Sequence, residues 1–482
     1  MAAAIQLKKQ LDITAEIFEA TEDIGGTWHY NTYPGCACDI PSHLYSFSFE
    51  LNPNWSKKYS DQKEIHDYMR YVAKKYGIYE QTELSTKVIR ASWIEGEKKW
   101  ELELQRQNAK DKLTDKNQIK YFNFVFSSIG GLRIPVIPEQ FKSFTGKIIH
   151  SAFWDNNYDF TDKRVAVIGS GASAVQIIPN LAAEVKHLYS FQRTPSWVGP
   201  RYQTKHSKLL KMLFRYFPFI MRLYRACLFF YRDFRFKAWG DANSWLARAF
   251  KSNLRKHMLH LFETHGRPDL AEKLIPDFPV GCKRILISDD YCQTLCAPNV
   301  TVITSNITGV EDNEISTLDG AKAEVDVLVL ATGFDTIRIF GQFQVYGRNG
   351  LHLNELWDNE TPKTFKTVTV HGLPNYFFLL GPGSALGHNS VVVMIESQVE
   401  FAVKMIRYMI KNKFESLEPK EKSQEAYSSD VQRRFKGTVW TGGCSSWYIN
   451  EHGNVQSLWP GSVMSFIKML KTTDYKADYS EA

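Results

Sequence analysis

A strand, a glycine-rich turn and a helix follow one another within residues 164–183, and this order constrains the fold of the chain most strongly. The apolar strand leads into Gly169-Ser170-Gly171-Ala-Ser-Ala174, and helical spacing follows. The first glycine of such a turn permits the bend, the second lets a pyrophosphate approach the backbone, and a small third residue lets the helix pack against the strand. Because the strand and the helix flank the turn, the pattern predicts a dinucleotide-binding α/β unit rather than a turn that binds nothing.

The end of the next strand indicates which dinucleotide is bound. Leu188–Phe191 is followed by Gln192-Arg193-Thr194, where an NAD-binding unit would carry Asp or Glu. An acidic residue there binds the ribose 2′-hydroxyl, whereas an arginine pairs with a 2′-phosphate. The sequence therefore predicts NADP, with an exposed surface arginine as the alternative. The coenzyme residues predicted at this stage are Gly169, Ser170, Gly171, Ala174, Arg193 and Thr194.

Parts of a second nucleotide-binding unit surround the first one. Residues 1–11 have a helical pattern and Ile13–Glu19 alternates like a strand that ends on a carboxylate, which is the order of the second half of a βαβ unit. Phe122–Ile129 and Val325–Ala331 are continuous apolar runs typical of buried parallel strands. The first unit is thus expected to be interrupted by the second.

Composition excludes several classes of protein. The 482 residues include 59 Lys and Arg, 52 Asp and Glu and 44% hydrophobic residues, which indicates two or three globular domains and no nucleic-acid partner. No run of 18 apolar residues occurs, so no membrane-spanning helix is expected. Seven cysteines without a CxxC pair predict free core thiols, no metal site and a reducing, cytoplasmic environment.

Two longer motifs resemble those of one enzyme family. Phe144-x-Gly146-x3-His150-x3-Trp154-Asp155 resembles the signature of Baeyer–Villiger monooxygenases, whereas N-hydroxylating flavin monooxygenases carry Phe or Tyr in place of the tryptophan. The second motif, GGTW followed by YPGCACD over residues 25–39, resembles the same family. The resemblance extends over residues 19–461 and is weakest in the helical, basic and aromatic segment 205–275.

The resemblance implies roles for individual residues. Arg284 would stabilise negative charge during oxygen transfer, and Asp39 would hold its guanidinium. His150 would be a hinge and packing residue rather than a base. The FAD-binding residues implied are Glu19, Gly26, Thr27, Trp28, Asp39, Tyr45, Gly381 and Gly383. Lys283 and Trp447 would join the NADP site.

The resemblance also implies the architecture, an α/β fold with two dinucleotide-binding, Rossmann-like domains and a helical insertion. Residues 1–140 would begin the FAD domain, 141–325 would form the inserted NADP domain with the insertion at about 205–275, and 326–482 would complete the FAD domain. The glycine-rich FAD loop of the family would precede Met1, and we expect a truncated gene model to explain this.

The implied reaction uses FAD, NADPH and O2 to insert oxygen beside the carbonyl of a ketone, on a bulky secondary metabolite such as an aromatic polyketide. The alternatives are an N- or S-hydroxylating flavin monooxygenase and a non-catalytic NADP-binding remnant. Residues 208–237 contain eight basic residues and one acid among apolar ones. This segment is expected either to contact a membrane surface or to form a substrate lid. The sequence does not indicate an oligomeric state.

Overall fold

The computed structural model describes residues 1–106, 117–336, 338–444, 446–450 and 452–481. Its α-helices are α1 (Ala2–Leu11), α2 (Thr27–Tyr30), α3 (Gln62–Lys75), α4 (Ala172–Leu181), α5 (Lys208–Tyr216), α6 (Pro218–Phe234), α7 (Phe236–Trp239), α8 (Trp245–Thr264), α9 (Pro268–Leu274), α10 (Tyr291–Thr294), α11 (Leu353–Asn359), α12 (Val391–Asn412), α13 (Glu421–Arg434), α14 (Val463–Lys471) and α15 (Tyr475–Asp478).

The β-strands are β1 (Ile17–Phe18), β2 (Thr82–Glu83), β3 (Thr86–Ile94), β4 (Lys99–Arg106), β5 (Gln118–Phe122), β6 (Val125–Ser127), β7 (Lys147–His150), β8 (Arg164–Ile168), β9 (His187–Phe191), β10 (Val198–Gly199), β11 (Leu286–Ile287), β12 (Val300–Ile303), β13 (Ile307–Glu311), β14 (Glu314–Thr317), β15 (Lys322–Glu324), β16 (Val327–Leu330), β17 (Gln344–Tyr346), β18 (Tyr376–Phe378), β19 (Leu417–Pro419) and β20 (Tyr479–Glu481).

A five-stranded parallel sheet organises the middle of the chain, with strand order β12-β9-β8-β16-β7. All four residues of β16 and four of the five in β8 are buried, as expected for central strands covered on both faces. The strand and helix predicted around the glycine-rich turn are present as β8 and α4. The predicted strand at 325–331 is also present, as β16.

A second region is built from residues on both sides of this sheet in the sequence. Strands β17, β3, β4 and β5 form a four-stranded sheet, in which β3 and β4 pair antiparallel across a turn at Gly96. Two short parallel pairs, β1 with β2 and β6 with β18, lie beside it. Trp100 anchors the sheet because its indole Nε1 donates to the carbonyl of Pro374 at 2.7 Å.

Two predicted strands of this region are shorter than expected. The strand predicted at Ile13–Glu19 is reduced to β1, because only Ile17 and Phe18 pair in register with β2. The apolar run Phe122–Ile129 divides between two sheets, since Phe122 ends β5 and only Val125–Ser127 pairs with β18. Hydrophobicity alone did not reveal where the pairing partners begin and end.

The chain passes between the two regions twice, and the two passages run side by side. Pro135 and Phe334 form an isolated antiparallel bridge. The backbone N–H of Val136 donates to Gly333, and that of Asp335 donates to Ile134. The segment that contains Pro135 and Pro138 is therefore bonded to the return passage.

Residues 205–275 form the predicted helical insertion, which contains α5 to α9. Within the residues that the structure describes, none of the helices is both long and apolar enough to cross a membrane.

The prediction of seven free core thiols is wrong. Cys282 and Cys444 form a disulfide with a Cα–Cα distance of 6.3 Å, and Cys227 is exposed. The bonded pair is separated by 162 residues, so cysteine spacing gave no indication of it. The bond ties the segment before Arg284 to the segment before Trp447.

Gly146, which directly precedes β7, provides a test of the packing against the five-stranded sheet. A Cβ at this position would lie 2.6 Å from the Asp326 carbonyl oxygen and 2.7 Å from the Phe144 ring. We expect Gly146→Ala to lower the free energy of unfolding by about 1–3 kcal/mol, measured by urea denaturation. Gly96→Ala is the matched control, because no atom lies within 4 Å of its added Cβ. Equal stability of the two variants would contradict the described packing.

Candidate active site

The glycine-rich turn has the open surface that a pyrophosphate needs. Gly169 has φ +130°, and a Cβ there would lie 2.5 Å from the carbonyl oxygen of Ala331. Gly171 precedes α4 without a side-chain cap, and no atom lies within 4 Å of a Cβ built on it. Ala174 is fully buried against the sheet. The first-turn N–H groups of α4 therefore face free space beside Gly171.

The loop after β9 is fastened to this turn. The Ser170 hydroxyl donates to the carbonyl of Thr194 at 2.6 Å, and the Ser196 hydroxyl donates to the carbonyl of Ser170 at 2.8 Å. Burial lowers the pKa of Lys283, and the positive charge of Arg193 lowers it further. The two cations are therefore close enough for their charges to interact, and Arg193 directly precedes Thr194, which is bonded to the turn.

A bidentate ion pair joins the loop before α3 to the loop before β11. Arg284 donates from Nε to Asp39 Oδ2 and from Nη2 to Oδ1, both at 2.7 Å. The side chains remain 33% and 23% exposed, so the pair opens onto accessible space. These bonds leave Nη1 of Arg284 outside the pair. The two residues that the sequence singled out for the reaction are thus in direct contact.

The ion pair stays charged because its partners stabilise each other. Burial would raise the pKa of Asp39, but the charge and hydrogen bonds of Arg284 outweigh it and hold the pKa below its usual value. The charge of Asp39 in turn raises the pKa of Arg284. Both groups are therefore ionised throughout the neutral pH range.

Sequence reasoning missed a second arginine at this site. Arg232 of α6 is buried, and its Nη2 donates to the Asp39 carbonyl at 3.3 Å and to the Tyr59 hydroxyl at 3.4 Å. Its neighbour Asp233 accepts from the backbone N–H of Val463 at 2.6 Å. The sequence around Arg232 is basic and aromatic along the whole of α6. It therefore did not distinguish this arginine from its exposed neighbours.

The residues of the GGTW motif line an adjoining region. Gly26 has φ +53° with no atom within 4 Å of an added Cβ, and it directly precedes Thr27 in α2. The Trp28 indole Nε1 donates to the Tyr45 hydroxyl at 3.2 Å, and the two rings meet edge to face at 5.7 Å. Burial raises the pKa of Tyr45.

Glu19 lies near an unsatisfied arginine. Its Oε1 accepts from the backbone N–H and the hydroxyl of Thr21, at 2.9 and 2.8 Å. Burial lowers the pKa of Arg133, and the nearby Glu19 opposes that effect. Arg133 Nη2 donates to the carbonyl of Phe340 at 3.0 Å, whereas its buried Nε has no hydrogen-bond acceptor among the described residues.

The loop before α12 is held in an unusual conformation. Leu380 has φ +55° and Gly383 has φ +75°. The backbone N–H of Leu380 donates to Gln398 Oε1, the Ser384 hydroxyl donates to the carbonyl of Gly381, and the N–H of Gly383 donates to the carbonyl of Gln456. The backbone N–H of Gln456 in turn donates to the carbonyl of Tyr448 at 3.0 Å.

Trp447 lies on the accessible side of this loop cluster. Its side chain is 41% exposed, and its ring centroid is 4.4 Å from that of the buried Tyr448. The hydroxyl of Tyr448 lies near Arg284, whose charge partly offsets the rise that burial gives to the Tyr448 pKa. The residue that follows Trp447 in the chain is therefore close enough to the Asp39–Arg284 pair to interact with its charge.

The fingerprint residues lie apart from these groups and pack the sheet. Trp154 stacks on Phe160 at 5.4 Å, and Asp155 pairs with Lys147 at 2.8 Å. His150 is buried at the end of β7, where its Nδ1 accepts from the N–H of Ala152. Phe144 is buried beside Gly146. Their environment is that of structural residues between the two regions.

One cluster in the described part of the chain groups three potential metal ligands, Asp23, His29 and His66. Its carboxylate is already engaged, because Asp23 accepts from Tyr79 at 2.8 Å and from Nε of Arg70 at 2.6 Å. The His66 Nε2 lies 2.8 Å from the carbonyl of Ile24. These contacts account for the cluster without an ion.

Comparisons with known proteins agree on one family. The family model described as flavin-binding monooxygenase-like matches residues 3–342. A Baeyer–Villiger monooxygenase of Pseudomonas aeruginosa is 37% identical over 99% of this chain and 88% of its own length. The FAD-binding monooxygenase ktnD of Aspergillus niger is 35% identical over 94% of this chain and 75% of its own length. The crystal structure of OTEMO in complex with FAD and NADP superposes with a TM-score of 0.86 and 26% identity, covering 100% of this chain and 97% of that one.

Variants of Gly169 and Gly171 allow the effect of the turn on stability to be measured separately from its effect on NADPH binding. We expect Gly169→Ala to lower the free energy of unfolding by about 1–3 kcal/mol, because it combines a positive φ with a clash against Ala331. Gly171→Ala has no such clash and should keep wild-type stability while raising the Kd for NADPH about tenfold, because the methyl group occupies the open space. Thermal melts and NADPH titration measure the two effects. Wild-type NADPH affinity in a folded Gly171→Ala protein would rule out this turn as the site.

Proposed function

The chain belongs to the flavin-binding monooxygenase-like family and is an FAD- and NADPH-dependent monooxygenase with two Rossmann-like nucleotide-binding regions, and we propose that it converts a bulky ketone to an ester or lactone by Baeyer–Villiger oxidation. The overall reaction consumes the ketone, O2, NADPH and a proton, and yields the ester, NADP⁺ and water. The observation that carries this proposal is the open, bidentate Asp39–Arg284 pair.

The residues around the glycine-rich turn fit NADPH. The free space beside Gly171 and the N-terminus of α4 suit a pyrophosphate. Arg193 and Lys283, which lie close enough for their charges to interact, suit the 2′-phosphate. Thr194 is held by Ser170, and Trp447 has the exposed ring face that a ribose or nicotinamide would cover.

The residues around the GGTW motif fit FAD. The space beside Gly26 admits a ligand, and the unsatisfied Nε of the buried Arg133 lacks an acceptor that a ligand would supply. Glu19 keeps Oε2 outside its bonds to Thr21 and would accept from ribose hydroxyls. Thr27, Trp28, Tyr45, Gly381 and Gly383 would complete that site. When bound, FAD reduced by NADPH supplies the activation of O2.

Arg284 would act on the substrate through the donor that Asp39 does not use. Nη1 would donate to the carbonyl oxygen of the ketone and stabilise the negative charge that develops there. Asp39 fixes the plane of the guanidinium through two hydrogen bonds, and Arg232 supports the backbone of Asp39. Trp28, Tyr45 and Tyr448 are largely apolar neighbours that would exclude water from the reacting carbonyl.

We propose an aromatic polyketide or a similar polycyclic ketone as substrate. The segment before Arg284 packs against an aromatic cluster, because Gly281 lies against the ring of Trp239. A Cβ at Gly281 would be 2.1 Å from the indole Nε1. Trp239 in turn contacts Phe250 and His388, at 5.7 and 6.3 Å. In this proposal, residues 1–140 and 326–482 hold FAD, residues 141–325 hold NADPH, and the insertion closes over the substrate.

Replacement of Arg284 tests the reaction. We expect Arg284→Met to lower kcat for ester formation by about 10²- to 10³-fold, because it removes a donor to the developing oxyanion. The Kd for NADPH should stay within about twofold of wild type. Product analysis by mass spectrometry and NADPH titration give the two quantities, with Arg433→Met, an exposed arginine of α13, as the matched control.

The substrates for this test are polycyclic aromatic ketones, cyclohexanone, an amine and a sulfide. Three results would contradict parts of the proposal. Oxygenation of the amine or sulfide without any ester from a ketone would contradict the Baeyer–Villiger assignment. Full turnover by Arg284→Met would contradict the role of this arginine. Failure with every aromatic ketone but turnover of cyclohexanone would contradict the substrate class alone.

Coenzyme preference tests the paired cations. We expect Arg193→Gln to raise the Kd for NADPH about 10- to 100-fold, because the 2′-phosphate loses a charge-assisted bond, and to leave the Kd for NADH nearly unchanged. Lys283→Gln should act in the same direction. Lys186→Gln, an exposed lysine before β9, is the control. An equal loss of NADPH and NADH binding in Arg193→Gln would show that the residue does not recognise the 2′-phosphate.

A further inference from the structure

Helices α5 and α6 expose an unusual amount of apolar surface. Together with the connection between them they carry large apolar side chains that are 49–70% exposed. These side chains, which we call the hairpin face, are Leu209, Met212, Tyr216, Phe217, Phe219, Leu223, Phe230, Tyr231 and Phe234. An exposed, contiguous set of this kind indicates an interaction surface rather than isolated surface residues.

The spacing shows that the hairpin face is one side of each helix. Leu209, Met212 and Tyr216 recur every three or four residues along α5. Phe219 and Leu223 begin the matching stripe of α6, which continues to Phe234. On the opposite sides Phe214 and Met221 are buried, so the two helices are packed onto the protein while the stripe remains uncovered.

The exposed charges within residues 208–237 have a single sign. Lys208, Arg215, Arg222 and Lys237 are exposed in this segment. The one acidic residue of the segment, Asp233, is buried and accepts from the backbone of Val463. The surface therefore combines apolar side chains with cations that form no ion pair among the residues that the structure describes, which complements an anionic, amphipathic partner.

We propose that the hairpin face docks on the surface of an anionic lipid bilayer. The apolar side chains would enter the boundary between headgroups and acyl chains, and the cations would contact lipid phosphates. The charge favours lipid over a second copy of this chain, because two such faces would bring like charges together.

Helix α6 links the hairpin face to the candidate active site. On its inner side, Arg225 donates from Nη1 to the carbonyls of His43 and Leu44, at 2.7 and 3.1 Å. Arg232 reaches the carbonyl of Asp39. Docking would therefore hold the site next to the bilayer. The binding itself does not depend on the reaction, so its test is separate from that of the proposed function.

The test uses the full chain with large unilamellar vesicles in a co-sedimentation assay. One set of vesicles contains phosphatidylcholine alone and the other contains phosphatidylserine in addition. We expect binding to the anionic vesicles that weakens as salt is raised. The triple variant Phe219→Ser, Leu223→Ser, Phe230→Ser should bind at least about tenfold more weakly. Lys208→Gln and Arg222→Gln should each weaken binding about fivefold.

Controls separate the hairpin face from general stickiness and from misfolding. Leu318→Ser and Ile410→Ser remove apolar side chains that are 72% and 57% exposed elsewhere, and both should bind as wild type does. Circular dichroism checks that each variant is folded. Absence of binding to anionic vesicles would overturn the proposal, as would unchanged binding by the folded triple variant. A wild-type dimer that the triple serine variant dissociates, with no vesicle binding, would instead identify a contact between copies.

Discussion

The ion pair between Asp39 and Arg284 is the contact on which the arrangement of the site depends. Its two residues are 245 positions apart, and each comes from a loop that other contacts fix in place. Arg232 holds the backbone of Asp39, while the Cys282–Cys444 disulfide and the close contact of Gly281 with Trp239 hold the loop of Arg284. A partly exposed ion pair contributes little stability by itself. Its value here is geometric, because it fixes the orientation of the guanidinium and leaves Nη1 outside the pair.

Local features of the fold could be predicted from the sequence because their signals are local. The turn requires glycine at position 169, where φ is positive and a Cβ would meet the backbone of Ala331, and the structure contains the strand and the helix that flank it. The two paired strands around Gly96 and the long helix α12 likewise rest on sequence patterns within a few neighbouring residues. The residues proposed for the two nucleotides came from motif order and from the family resemblance. The structure places Arg193 close enough to Lys283 for their charges to interact, and Asp39 against Arg284.

The remaining features depend on partners far away in the sequence. The apolar run ending at Ile129 belongs to two different sheets, which only the positions of β4 and β18 decide. The disulfide joins cysteines 162 residues apart, and nothing near Cys282 distinguishes it from a free thiol. Arg232 has the same composition around it as the exposed arginine at position 222, and only the packing of α6 determines which of the two turns inward.

The paired passages at Pro135 and Phe334 limit how the two nucleotide-binding regions can move. Two independent single strands would let one region slide, twist and tilt against the other. Here the strands are hydrogen-bonded to each other from Ile134 to Val136, so they form a short two-stranded strap. A strap resists twisting and stretching but bends across its width. Among the connections between the two regions, these paired passages therefore favour a swing about a single line over sliding or twisting.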